Sequence, residues 1–69
     1  MKSISNLRLL RVRAGITQDA LASLIGISQT RISFIENGKK KPTPREIREI
    51  SEALGEDPTT IFAEDHVNE

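Results

Sequence analysis

Apolar residues recur at helical spacing along this chain, in five runs separated by glycine or proline. Intervals of three and four residues between apolar positions are typical of amphipathic helices, and no segment alternates apolar and polar residues for long, as a strand would. The pattern therefore predicts an all-α fold of five helices packed in one bundle. The positions expected on the inward stripes are Ile4, Leu7, Leu10, Ala14, Leu21, Ala22, Ile25, Ile32, Ile35, Ile47, Ile50, Ala53 and Leu54.

Capping residues and glycines set the expected boundaries of the first three helices, and Gly15 is the expected stop of the first. The first is expected over residues 5–13, and whether Leu9 and Val12 beside its stripe are packed or exposed stays open. Thr17 is suited to cap the second helix, which Gly26 ends because glycine enters the left-handed conformation without a Cβ clash. Ser28 then caps a third helix that stops at Gly38.

The last two helices begin with a cap followed by proline. Thr43-Pro44-Arg45-Glu46 combines an N-cap, a proline at the first helical position and the glutamate of a capping box. The fourth helix is expected to continue to Leu54. Asp57-Pro58 repeats the signal and opens a short fifth helix that runs through Ala63.

The third helix presents an unusual outward face. With Ile32 and Ile35 turned inward, the exposed side carries hydroxyl, amide and aromatic side chains and no acid. A helix of this width fits the major groove of DNA, and its presentation after a glycine turn is typical of a helix-turn-helix. The outward residues are Thr30, Ser33, Phe34 and Asn37, and Gln29 and Arg31 flank them.

The segment TQDALASLIGISQTRISFIENGKKKPT resembles the helix-turn-helix domain of the phage repressor and Cro group, called Xre-like. The resemblance extends from about Leu7 to Phe62. It is specific, because the order of Thr17-Gln18, Leu21-Ala22, Gly26, Ser28, Ile32, the run Ile35 to Gly38, and Pro42 is matched within one short span. It implies a lambda-repressor-like bundle and a transcriptional regulator, expected to be a repressor, that binds specific double-stranded DNA.

The resemblance also implies a partly buried ion pair between Arg11 and Glu36. Each charge would be costly to bury alone and tolerable with its partner, whereas the alternative is two solvated charges. By the same resemblance Gln18 would brace Gln29 or a phosphate, and Asn37 would contact phosphate together with the backbone amides near Lys39.

Two further groups of residues are expected to meet the phosphate backbone. The N-terminus of the second helix, at Thr17 and Gln18, would point its amides and positive dipole at a phosphate. Beside the end of the third helix, Lys39, Lys40 and Lys41 have the charge and reach for the same task. The alternative for the lysines is a solubilising surface.

Base contacts are expected from the outward face of the third helix, first from Gln29, then from Arg31 and Thr30, then from Ser33. Phe34 departs from the polar or basic residue common in the family. It could touch thymine methyl groups, pack on the loop of residues 39–42, or lie in a protein contact.

The composition of the chain narrows the remaining classes of function. The chain has 69 residues, which allows one domain, here residues 1–63 followed by an acidic tail over 64–69, and it has no cysteine. No catalytic constellation, cofactor-binding motif or metal site is expected, and the lone His66 lies in the tail without a second imidazole or thiol. No apolar run suits a membrane span, so a cytoplasmic protein is expected.

Charge is distributed unevenly although the formal net charge is zero. Residues 1–48 hold all 10 basic residues and three acids, a balance of +7, whereas residues 49–69 hold seven acids and no lysine or arginine. The basic part would meet phosphate and the acidic part would face away from it.

One such domain contacts few base pairs, so a homodimer on a pseudo-palindromic operator is expected. Ile61 and Phe62 are candidate interface residues, and the alternative is that they only close the monomer core. Two other functions use the same fold: an antitoxin-type module that binds a protein partner, and the controller protein of a restriction-modification system.

Overall fold

The computed structural model describes residues 6–62, which form five helices and no strand, and it confirms the all-α fold. Each predicted helix is present, and the second and third are joined by the short glycine turn. The helices are α1 (Asn6–Arg13), α2 (Gln18–Ile25), α3 (Gln29–Glu36), α4 (Pro44–Leu54) and α5 (Pro58–Phe62).

One fully buried aliphatic residue from each helix forms the centre of the core. Around this centre α2 packs against α3 and α4, and α5 packs against α1 and α4. Burial of such side chains is the main favourable term in the folding of a domain this small. The five are Leu7, Leu21, Ile32, Ile50 and Ile61, with exposed fractions of 2%, 0%, 0%, 0% and 2%.

The predicted caps are confirmed. Thr17 Oγ1 accepts a hydrogen bond from the Ala20 amide and Ser28 Oγ accepts one from the Arg31 amide, each at 3.0 Å. Thr43 and Glu46 form both bonds of the capping box at the start of α4. Gly26 adopts a φ of 77° at the end of α2, which fixes the direction in which the chain enters α3.

The inward stripe of α1 differs from the prediction at its C-terminal end. Ala14 was expected to be buried, but it is exposed, because it lies in the turn after α1 and no longer on the inward stripe of the helix. Arg11 takes the buried position one turn after Leu7. Leu9 and Val12, whose burial the sequence left open, are 47% and 58% exposed.

The buried face of α4 is rotated by about one residue from the predicted one. Ile47 was expected to be buried but is only partly covered, whereas Glu46 and Ser51 are buried together with Ile50. The rotation is possible because both polar residues are satisfied. Glu46 pairs with an arginine of α3, and the Ser51 hydroxyl donates to the Ile47 carbonyl at 2.6 Å.

Some predictions concern residues outside the described range. These are Ile4 on the inward stripe, Ser5 at the start of the first helix, Ala63 at the end of the fifth, and the acidic tail of residues 64–69 with His66.

Candidate nucleic-acid interface

The outward face of α3 is open at its N-terminal turn and more covered in its middle. Gln29 and Thr30 are exposed, and Asn37 just beyond the helix is exposed as well. Ser33 and Phe34 are partly buried, so the phenylalanine is not a fully exposed apolar side chain. The helix is held by Ile32, which is fully buried, and by its neighbours Ile35 and Glu36. The first turn of α3 therefore offers the most accessible polar groups.

A chain of hydrogen bonds joins that first turn to the interior. Gln29 Nε2 donates to Gln18 Oε1 at 3.3 Å, and Gln18 Nε2 donates to Glu36 Oε1 at 3.0 Å. Gln18 is the first residue of α2 and Glu36 the last residue of α3. The link positions the exposed Gln29 side chain through a partly buried partner, and it places Gln18 against Gln29 as the family resemblance implies.

The same carboxylate holds the arginine of α1. Arg11 Nε donates to Glu36 Oε2 at 2.6 Å and Nη2 donates to Oε1 at 3.2 Å, while Nη1 donates to the Ile16 carbonyl at 2.8 Å. The two side chains are 9% and 2% exposed. The ion pair implied by the family resemblance is present and is bidentate, and it ties α1, the loop before α2 and the end of α3 together.

A second bidentate pair lies on the other side of α3. Arg31 Nε donates to Glu46 Oε2 at 3.0 Å and Arg31 Nη2 donates to Glu46 Oε1 at 2.7 Å. Arg31 Nη2 also donates to the Lys41 carbonyl at 3.2 Å. The sequence placed Arg31 beside the outward face as a base-contacting residue, and in the structure its guanidinium is directed to the start of α4.

The hydrogen bonds of this pair determine its protonation. The Arg31 guanidinium, helped by the backbone amide of Thr43, holds the pKa of Glu46 below its ordinary value against the opposing effect of burial. The bond to Glu46 likewise raises the pKa of Arg31. Both groups therefore stay charged over the physiological range.

A polar cleft of about 390 Å³ brings several predicted phosphate-contacting residues together. It contains the N-terminus of α2 at Thr17 and Gln18, the first residue of α3, Gln29, and Asn37. Arg8 of α1 also lines it, a residue that the sequence analysis did not single out. The only sequence signal for Arg8 was its position on the outer side of α1. That signal is weak, because the cleft forms between three helices that are separate in sequence.

The lysine loop, residues 38–41, leaves the end of α3 in a fixed direction. The backbone amides of Lys39 and Lys40 both donate to the Phe34 carbonyl, at 2.9 and 3.3 Å. These amides, which the resemblance implied as phosphate donors, are thus already bonded within the protein. The side chains of Lys39, Lys40 and Lys41 are exposed and remain suited to phosphate contact.

Other expected features are placed as follows. Ile61 is in the core and Phe62 is partly buried against it. Within residues 6–62 no group of histidine, cysteine, aspartate or glutamate side chains is arranged to hold a metal ion. None of the helices described is long and apolar enough to cross a membrane.

Comparison with known proteins relates this arrangement to a family. The HTH_3 helix-turn-helix profile matches residues 7–61. The chain is 41% identical over 59 residues to the HTH-type transcriptional regulator YqaF of Bacillus subtilis, covering 86% of this chain and 76% of YqaF.

Two solved structures are similar over most of their length. The restriction-modification controller protein C.AhdI of Aeromonas hydrophila superimposes with a TM-score of 0.77 at 30% identity, covering 83% of this chain and 86% of C.AhdI. The DNA-binding domain of the P22 c2 repressor superimposes with a TM-score of 0.79 at 26% identity, covering 94% and 90% of the two chains. With the capped helix pair, the five-helix bundle and the match over residues 7–61, the chain belongs to the Xre/Cro/C1-type family of helix-turn-helix DNA-binding transcriptional regulators.

Proposed function

We propose that this protein is a homodimeric repressor that reads the major groove of a specific double-stranded DNA operator with α3. The observation that carries the proposal is the way α3 is held. Its inward residues Ile32 and Ile35 are 0% and 7% exposed, while the polar side chains of Gln29 and Thr30 remain open to solvent. A helix fixed along one side with a polar N-terminal turn exposed has the arrangement needed to enter the groove.

Gln29 is the leading candidate for base recognition. Its amide nitrogen has two hydrogens, and one of them is used by Gln18. The second hydrogen and the carbonyl oxygen are the pair that adenine recognises, as acceptor N7 and donor N6. Gln29 is therefore able to read adenine while Gln18 holds it in place.

The other base contacts would come from the same side of α3. Thr30 and Ser33 have hydroxyl groups that suit several base edges, and Thr30 also has a methyl group for thymine. Phe34 is partly covered, and the remaining part of its ring could touch a thymine methyl. Arg31 would need to leave Glu46 before it could use its paired donors on a base.

Phosphate contacts would surround the base-reading turn. The N-terminus of α2 at Thr17 and Gln18, together with Asn37 and Arg8, lines the polar cleft on one side. The side chains of Lys39 to Lys41 lie beyond the C-terminal end of α3, shortly after Asn37. Contacts of this kind fix the position of the protein on DNA and make binding depend strongly on salt.

Two copies related by a two-fold axis would read half-sites roughly 34 Å apart. Of the two interface candidates, Ile61 is 2% exposed and serves the core of one monomer, so it has little surface for a partner. Phe62 is partly exposed at the end of α5 and is the better interface residue.

The structural similarity to C.AhdI favours one alternative, the controller protein of a restriction-modification system, which could activate as well as repress. An antitoxin-type module is the other alternative from the sequence, and it would require a stoichiometric protein partner. A reporter gene under the selected operator separates repression from activation.

The test of the proposal is selection from a random duplex library with the purified chain, followed by a salt titration. A pseudo-palindromic consensus and a steep salt dependence are expected. Gln29→Ala should relax preference at one position of each half-site, whereas Lys40→Ala should weaken all sites alike and reduce the salt slope by about 1. Weak, unselective binding by the wild-type chain would contradict the proposal and favour a protein partner.

A further inference from the structure

The guanidinium of Arg31 connects three segments around the proposed DNA-reading helix. Arg31 itself lies in the first turn of α3. Its Nη2 donates to the carbonyl of Lys41 at the end of the lysine loop, and its Nε and Nη2 donate to Glu46 in the first turn of α4. Glu46 is itself fixed, because its Oε1 also accepts the Thr43 amide at 2.9 Å. Arg31 is thus held by a carboxylate that is already part of a capping box.

The two N–H donors of Arg31 that bind Glu46 are the donors that Arg31 would need to read a base. Arginine recognises guanine through two parallel hydrogen bonds to O6 and N7, and it binds a carboxylate through the same kind of paired donors. Turning the two donors of Arg31 toward a base would leave the Glu46 carboxylate without its cation close to the DNA phosphates, although Glu46 is only 9% exposed. The ion pair therefore opposes a base-reading role for Arg31.

The Nη1 group of Arg31, unlike Nε and Nη2, is not used in the bonds to Glu46 and Lys41. Nη1 has no hydrogen-bond acceptor among residues 6–62, and the side chain is 26% exposed. A single N–H group on a fixed guanidinium suits a phosphate oxygen, which needs charge and reach more than a paired geometry. This contact would be available while the bonds to Glu46 and Lys41 persist.

We propose that Arg31 is a positioning residue that stays bound to Glu46 on DNA, sets the lysine loop against α3, offers only Nη1 to a phosphate, and does not read a base. This inference rests on the proposed DNA-binding function and refines it. Base preference would then come from Gln29, Thr30, Ser33 and Phe34 alone.

The variants that test it are Arg31→Met, which keeps the aliphatic stem, and Glu46→Gln, whose amide oxygen still accepts the Thr43 amide. Arg45→Met is the matched control, because Arg45 is next to Glu46 in sequence but forms an exposed pair with Glu49, in which the arginine is 73% exposed. Affinity is measured on the consensus and on each of its single base-pair variants.

Arg31→Met and Glu46→Gln are each expected to weaken binding roughly tenfold on the consensus operator and on every variant of it, which is the scale of one charge-assisted hydrogen bond. The preferred base at each position should stay the same. The double variant should be no weaker than Arg31→Met, since Arg31→Met already removes both the link to Glu46 and the phosphate contact of Nη1. Arg31→Lys should not restore affinity, because an ammonium group cannot form the paired bonds.

Three results would overturn the inference. The first is loss of a guanine preference in Arg31→Met that Glu46→Gln keeps or strengthens, which would make Arg31 a base reader restrained by Glu46. The second is full recovery with Arg31→Lys. The third is wild-type affinity in both single variants.

A second measurement on the unbound chain separates failure of this inference from failure of the proposed function. Arg31→Met should lower the backbone NMR order parameters of residues 39–41 from the rigid value of about 0.85 toward 0.6. Unchanged order parameters would contradict the positioning role even if the wild-type chain selected no consensus. That absence of a consensus would instead contradict the DNA-reading function.

Discussion

Two arginine–glutamate pairs join α3 to neighbouring helices, one to α1 and one to α4. They have nearly the same geometry in different surroundings. Arg11 and Glu36 approach to 2.6 Å with side chains 9% and 2% exposed, whereas Arg31 and Glu46 approach to 2.7 Å with side chains 26% and 12% exposed. Both pairs are bidentate and both bond a backbone carbonyl. The difference in burial determines what each pair contributes.

A buried charge that loses its partner keeps its desolvation cost, so the Arg11–Glu36 pair is expected to matter mainly for folding. The more exposed pair should cost less to break than the buried one, because water reaches its arginine, which is 26% exposed. Its importance lies in what it orients, namely the first turn of α3 and the lysine loop. Similar contacts can thus serve stability in one place and geometry in another.

The largest expected effect is that of Glu36→Ala. Removing this carboxylate leaves Arg11 buried without a counter-charge, and the free energy of unfolding should fall by about 3–5 kcal/mol. That is a large share of the stability of a small domain, at roughly 0.05–0.15 kcal/mol per residue. Urea denaturation measures it.

Glu49→Ala is the control for this prediction. Its partner Arg45 is 73% exposed, so the change should stay within about 0.5 kcal/mol. Equal melting temperatures for Glu36→Ala and the wild type would show that the buried pair does not support the fold.

The second effect concerns pH. Folding lowers the pKa of Glu46 below its ordinary value of 4.5, chiefly through Arg31, so the ionised form stabilises the folded state. This stabilisation is complete above the unfolded pKa and is lost as pH falls through the lower folded pKa. Glu46→Gln should cost about 1 kcal/mol at pH 7 and less at pH 3, because at pH 3, below the unfolded pKa, part of the stabilisation from the ionised Glu46 has been lost.

Urea midpoints of the wild type and Glu46→Gln at both pH values measure this difference, with Glu49→Gln as the exposed control. A cost that is the same at pH 7 and pH 3 would rule out an electrostatic contribution from the Arg31–Glu46 pair.

A third stability effect, similar in size to that of Glu46→Gln, is expected for Gln18→Ala, which breaks the link between the buried pair and the DNA-facing side chain of Gln29. Loss of one hydrogen bond to a carboxylate that keeps Arg11 should cost about 1 kcal/mol. Binding should weaken chiefly at the base pairs that Gln29 reads. Competition binding on single base-pair variants measures this.

The exposed Ser23→Ala on the same helix is the control for Gln18→Ala and should change neither property. If Gln18→Ala weakens binding equally at all positions, the glutamine acts on phosphate instead of bracing Gln29.

Much of the fold was predictable because its signals are local. Thr17, Ser28 and Thr43 cap helices through bonds to residues three positions away, and such bonds follow from sequence spacing. The five-helix order and the central core residues Leu21, Ile32 and Ile50 follow from helical periodicity in the same way.

The candidate interface was predictable in outline and less so in detail. Periodicity placed Gln29 and Thr30 outward on α3, where both are exposed. It could not show that Phe34 is partly covered or that Arg8 joins the polar cleft, because both depend on neighbouring segments.

The sequence by itself determined where the helices begin and end, which apolar positions form most of the core, and to which family the chain belongs. Only the tertiary structure decided that Arg31 binds Glu46, that Glu46 and Ser51 are buried in place of Ile47, and that Ile61 belongs to the core. The physical reason is range. A cap or an amphipathic stripe is set by residues within a turn or two, whereas the partner of an arginine side chain 15 positions away depends on how whole helices pack.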